Sequence, residues 1–449
     1  MNDKVVYVVH CIDTEGPLHE SLGATSERLK EIFNIDLDLT PDLLKDIQSK
    51  RINFDGKEEE VAKVLSPQLL EYLDNWDKID NMLNQIMSEE FRYQSTDSFG
   101  GGWIYNWHCL DHVGFNVNPR RRDMGFHAVS DHYEEMCRFT KSEKDAIHFH
   151  HHPIGFANQA HKPATNYLSH EPMIYQILAR KIIDRQWFPS VYRPGFHTTR
   201  PDSHWFLEQY IPFEYANQAK VSDDDSEALQ NDLSGGRFGD WRRAPKDWTP
   251  YHPHHDDYQS KGSCRRLIAK CLNIGTRLRL LEQDDVEQAF KAAQQGQPVV
   301  LAVTNHDFRN IVDDINSVRE LLDKVSGGYS DVKFKFVEAR EALRQSMRIK
   351  ELPPLEFDFQ IHENLLSIKT NHNTFGPQPF LALKTKDGRY YHDNFDFQVP
   401  LREWSYTFDD MTIPLKALES IGVASCDAYG NVTVHTYDVE SDKHASRKH

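Results

Sequence analysis

A chain of 449 residues is long enough for a full barrel or large α/β domain plus an extra module, and 52 basic against 69 acidic residues give a formal net charge of −17. That balance disfavours nucleic acid or an anionic membrane surface as the main partner. Six cysteines, at 11, 109, 137, 264, 271 and 426 with no CxxC pair, argue against a disulfide framework or a cysteine zinc site and suit a reducing cytosol. No window reaches the roughly 18 apolar residues of a membrane span, and the N-terminus carries no basic, signal-like region, so a cytoplasmic protein without a span is expected.

The first predicted element, a continuous apolar run at 5–11, has the pattern of a strand buried on both faces, as in parallel α/β sheets. It delivers Cys11-Ile-Asp-Thr-Glu-Gly16 to its C-terminal end, where Asp13 and Glu15, two residues apart, point the same way. Residues 17–92 are charged and Leu-rich with spacings of three and four, which predicts a helical insertion. The α/β alternation resumes with a strand at 103–107, a helix at 132–139 and a strand at 146–150 that runs into His148-Phe-His-His-His-Pro153. A helix at 171–185 and a strand at 190–193 lead to Arg193-Pro-Gly-Phe196. Further strands are expected at 213–215, 278–281, 299–303 and 333–336, with helices at 284–293 and 311–324. The acidic run 223–225 reads as a solvated loop.

This is a barrel-like rhythm over residues 1–350. It stops near Pro353-Pro354, after which short alternating strands and turns such as Asp387-Gly388 predict a small antiparallel β domain over 355–440 and a frayed polar tail at 441–449.

Four segments carry chemistry. Of Asp13 and Glu15, one can bind a cation while the other takes a proton from water; the plain alternative is a surface acid pair. His148 and His152 reach one cation if the chain turns into a helix at His150, because residues four apart then share a face; otherwise the tract is a polar loop. Pro194 restricts Arg193 to an extended backbone that aims its guanidinium, and the N–H groups of Gly195 or Phe196 can face a developing oxyanion, although a simple turn explains them too. The apolar strand 299–303 delivers His306-Asp307, where an imidazole can protonate a leaving amine or simply pack. His108, His112 and the Tyr251-His-Pro-His-His255 stretch are taken as lining of the cleft.

In order and content these segments resemble the polysaccharide deacetylases of the NodB-homology family, whose signature is an acid pair after the first strand, HxxxHP, an arginine turn and a strand ending in histidine. The resemblance implies a distorted (β/α)7 barrel and a divalent metal, usually zinc with cobalt, nickel or iron as alternatives. It also implies removal of an N-acetyl or related acyl group from an amino sugar or glycan precursor. Carried over by position, it makes Asp13 the base, Glu15, His148 and His152 the metal ligands, Arg193 the group orienting Asp13, and His306 the acid. Here an extra residue and a glutamate replace the commoner adjacent aspartates, and Asp240-Trp241 is only a loose match to a further family motif. Three rivals stand beside this reading: a same-fold hydrolase of a non-sugar amide or cyclic imide, an iron(II) oxygenase, and a catalytically inactive glycan-binding protein.

Overall fold

The computed structural model describes residues 4–156, 158–159, 166–167, 173–221, 239–276 and 279–449. Its centre is β1 (Val5–Thr14), whose VVYVVHCIDT sequence is apolar enough to be covered on both sides. The parallel strands β2 (Tyr105–Leu110), β3 (Ala146–His151), β4 (Val191–Pro194) and β5 (Phe213–Asn217) follow in order. After the short hairpin β6 (Pro253–His254) and β7 (Asp257–Lys261) come β8 (Leu267–Asn273) and β9 (Val299–His306), and β9 pairs back onto β1. The result is a closed ring of seven parallel strands with helices in the crossovers, a distorted (β/α)7 barrel.

The distortion has a local cause. β1 is ten residues long and uses its two halves differently along one edge: Val5 to Val8 pair with β10 (Lys333–Phe336), whereas His10 to Thr14 pair with β2. The opposite edge pairs with β9, register Asp13 against His306. Parallel neighbours in register bring their C-terminal ends to one face, the face on which barrel loops build sites.

The helical stretch after β1 is not one unit. Helices Leu22–Phe33, Pro41–Gln48 and Glu58–Val64 enclose a small core of their own around Leu29, Ile47, Val61 and Leu65. Helix Trp76–Ile86 instead buries Ile79, Met82, Leu83 and Ile86 in the main barrel core.

From Phe357 onward two antiparallel sheets stack. One holds β11 (Phe357–His362), β12 (Leu365–Thr370), β15 (Asp396–Val399) and β16 (Glu403–Thr407); the other holds β13 (Phe380–Thr385), β14 (Tyr390–Asp393), β17 (Leu418–Cys426), β18 (Val432–Asp438) and β19 (Lys443–Lys448). Strict alternation divides β13: Leu381 and Leu383 face the inter-sheet core with Trp404 and Ile421, while Phe380 and Ala382 pack on Ile174, Leu178 and Ile182 of helix Met173–Arg185.

Several expectations need correcting. The strand expected at 278–281 is absent where it is described; the barrel uses Leu267–Asn273, in which Lys270 disguises the apolar pattern. Lys270 is tolerated because its ammonium donates to the Lys246 carbonyl at 2.9 Å and lies over the Trp248 ring. The expected frayed tail is instead the edge strand β19, paired with β18 from Thr433–Lys448 to Asp438–Lys443. An edge needs backbone pairing on one side only and tolerates charged side chains, so composition concealed it. The acidic run 223–225 and Leu278 lie outside the described residues. Among the described residues no helix is long and apolar enough to cross a membrane.

Candidate metal and acid-base site

Every sequence-selected segment but part of one converges at the C-terminal ends of the barrel strands. Asp13 ends β1 and is buried against Arg193, whose Nε ion-pairs with one carboxylate oxygen while Nη2 donates to the other at 3.2 Å. Arg193 is fully buried at the end of β4 and is fixed by the Tyr215 carbonyl at 3.0 Å and by His197 Nδ1 at 2.8 Å. Burial pushes the Asp13 carboxyl up, but Arg193, with His150 and His306, overrides it and holds the group well below the usual carboxylate range. His306, at the end of β9, places Nε2 3.7 Å from Asp13 and 3.9 Å from Glu15, with its side chain 24% exposed toward solvent. Burial lowers its pKa to about 4.

The candidate metal-ligand group differs from the expected one by one residue, His150 in place of His148. Glu15 Oε1, His150 Nε2 and His152 Nε2 face one another, with separations of 3.0 Å between the imidazoles, 3.3 Å from Glu15 to His152 and 3.9 Å from Glu15 to His150. The three atoms lie close enough together that they could hold one metal ion. The tautomer fits too. His150 Nδ1 lies 2.8 Å from the Arg193 carbonyl, which can only accept; Nδ1 therefore carries the proton and Nε2 presents its lone pair.

His148 is not with them. The chain stays extended through His151 instead of turning helical at His150, and four residues of strand span about 13 Å, too far for one ion. His148 sits one pleat deeper, 3.1 Å from Glu338 and 3.2 Å from Asn106. It also lines a cavity of about 310 Å³ that touches neither Glu15 nor Asp13. His151 points to the other face of β3, against Tyr167.

Gly195 explains why His152 can enter. A Cβ at this position would lie 2.2 Å from His152 Cδ2, so only glycine lets the imidazole lie over the backbone. Phe196 adopts a left-handed φ of 53° and sets its ring 4.7 Å from that of His152. Gly16, with φ 70°, turns the chain after Glu15 where a side chain would strike Trp76.

The sequence assigns no role to Asp307 or Arg122 and predicts His112 only as cleft lining. Asp307 accepts the Glu15 and Gly16 N–H groups, both at 2.8 Å, and the Tyr133 hydroxyl at 2.8 Å, which locks the turn that aims Glu15. An acid directly after the strand-end histidine was the only available signal. Arg122 ion-pairs with the far oxygen of Glu15, and His112 bonds the Glu15 carbonyl at 2.8 Å. Burial pushes the Glu15 carboxyl up, yet Arg122 and His152 hold it well below the ordinary value. Of the expected cleft histidines, His112 belongs here, His108 lies deeper in the barrel beside His148, and His254 and His255 are exposed on the β6–β7 hairpin. Asp240 pairs with Arg242 rather than Arg193, and Trp241 donates to the His197 carbonyl at 2.8 Å.

No family model matches the chain, and no curated protein matches it. Among solved structures, a Cellulomonas fimi endo-beta-1,4-mannanase double mutant aligns over 80% of this chain and 88% of its own, at 8% identity and a TM-score of 0.24. So slight a likeness carries no argument.

Proposed function

We propose that this chain is a metal-dependent amide hydrolase of the NodB-homology polysaccharide deacetylase type, which removes an N-acyl group, in the first instance acetyl, from an amino sugar or glycan precursor. The observation that carries the reading is the placement of three cation-ligating atoms, Glu15 Oε1, His150 Nε2 and His152 Nε2, beside the Arg193-held Asp13 and His306 at one end of the barrel. A divalent ion there, zinc being the best fit to two imidazoles and a carboxylate, would polarise the acyl carbonyl and lower the pKa of a water to about 7.

The residues do the remaining work. Asp13, ionised and aimed by Arg193, takes the proton of the attacking water. Because burial keeps His306 neutral at rest, it has to gain a proton before it can give one, and Asp13 at 3.7 Å is the neighbouring group placed to pass one on. His306 then protonates the departing amine, leaving a carboxylic acid and a free amino sugar. Gly195 and Phe196 border the same space, and this reading assigns their backbone to the side on which the oxyanion develops.

The test pairs elemental analysis with acetate release from N-acetylglucosamine oligosaccharides. About one divalent ion per chain is expected in wild type and in Asp13→Asn, with release falling by about 10²–10⁴-fold in the variant. A wild-type protein that holds no ion after supplementation, or an Asp13→Asn variant as active as wild type, would overturn the proposal.

A further inference from the structure

The net charge of the chain is −17, yet the rim next to His306 is built from guanidinium groups. Phe308, two residues beyond His306, lies 4.7 Å from its ring, and the guanidinium carbons of Arg122 and Arg309 lie 5.7 Å and 5.6 Å from the Phe308 ring centre. Tyr72 packs edge-on to Phe308 at 5.4 Å and receives Arg309 at 5.5 Å, while Arg28 reaches the Tyr72 hydroxyl at 3.4 Å. Three separate segments therefore bring Arg28, Arg122 and Arg309 to one wall, and Arg120 joins them through Glu20, which it meets at 3.2 Å and Arg28 at 3.1 Å.

The carboxylates do not balance this wall. Glu20 is shared between Arg28 and Arg120, Glu15 serves Arg122, and Asp314, beside Gly275, acts on Arg309 through charge without an ion-pair contact, so four guanidinium groups meet two ion-paired carboxylates. Arg309 is the one of the four without a carboxylate in ion-pair contact. It is only 9% exposed, its Nη1 donates to the Gly275 carbonyl at 2.9 Å, its Nε has no hydrogen-bond partner, and no carboxylate ion-pairs with it among the described residues. Arg122 Nε is likewise buried without a hydrogen-bond partner. Nine-tenths burial of a cation is costly unless an anion completes it, and the planar donor fork of arginine suits a carboxylate or phosphate.

We propose that Arg309 and Arg122 form a subsite for an anionic group of the substrate, a carboxylate or a phosphate, one aromatic ring away from His306. The substrate class is then an N-acylated amino sugar that carries a negative charge; this extension rests on the hydrolytic reading for its acyl group but not for its anion.

The test is calorimetric binding of N-acetylglucosamine, N-acetylglucosamine 6-phosphate and N-acetylglucosaminuronic acid to the full-length protein as purified, with acetate release followed separately. One or both anionic sugars should bind at least about tenfold more tightly than the neutral sugar, and the stronger of the two identifies the anion. Arg309→Gln should abolish the preference with metal content unchanged, and Arg309→Lys, which keeps the charge and guards against a folding defect, should retain part of it. Equal affinities, no binding of either anion, or a preference that survives in Arg309→Gln would overturn the subsite. Anion preference without acetate release from any of the three would leave the subsite standing and remove the hydrolytic reading; release from all three at equal affinity would do the reverse.

Discussion

Gly195→Ala isolates one contact on which the proposed metal site depends. The backbone at Gly195 is not in the left-handed region, so alanine carries no conformational penalty there, and the whole effect comes from its Cβ. That atom would lie 2.2 Å from His152 Cδ2, 2.7 Å from Cγ and 2.8 Å from Nε2. Carbon atoms pack at about 3.5–4.0 Å, so the ring must retreat by roughly 1.3 Å or more, whereas a metal–ligand bond tolerates about 0.2 Å. His152 cannot satisfy both, and two protein ligands remain. Loss of an outer-shell partner alone typically costs 10–100-fold in metal affinity, so loss of a ligand should cost about 100-fold or more, near 2.7 kcal/mol. The fold should survive, because the collision involves one side chain and overpacking costs about 1–3 kcal/mol. Competition titration against a zinc chelator, with a circular dichroism melt alongside, measures both quantities. A folded Gly195→Ala protein with wild-type metal affinity would refute the steric argument and with it the assignment of His152.

The two histidine assignments separate cleanly: His150→Ala should abolish stoichiometric metal binding, whereas His148→Ala should keep it, and the opposite pattern in elemental analysis would restore the helical reading of the motif. Glu338 gives a pH signature away from the metal. Burial raises its pKa, but the His148 hydrogen bond, Arg340 and the backbone N–H of Arg340 bring it down to about 2 from 4.5. A depressed carboxylate stabilises the fold above its unfolded value and loses that contribution as pH falls from about 4.5 to 2, an effect of about 3 kcal/mol. Denaturant midpoints of wild type and Glu338→Gln should therefore differ most near neutral pH and converge in acid; a gap independent of pH would show that Glu338 acts through packing alone.

The sequence by itself determined much of the barrel. Val299 to Val303 is apolar at every position and Val5 to Cys11 at every position but His10, because parallel strands are covered on both faces, and that pattern needs no knowledge of neighbours. It also placed Asp13, Glu15, Arg193 and His306 at strand ends, since the end of an apolar run is local information. What it could not decide was which histidines meet. A spacing of four suits an ion on a helix and defeats it on a strand, and whether His148 to His152 extend or coil depends on β2 and β4 pairing along both edges of β3. Lys270 inside β8 and the charged β19 were hidden for the same reason: partners distant in the chain solvate a polar residue or pair a backbone, and composition does not record them. Asp307 beneath Glu15, Arg122 beside it and the convergence of Arg122 and Arg309 on Phe308 exist only once loops far apart in sequence are brought to one face of the barrel, because pairing over a few ångströms is set by closure of the ring rather than by order along the chain.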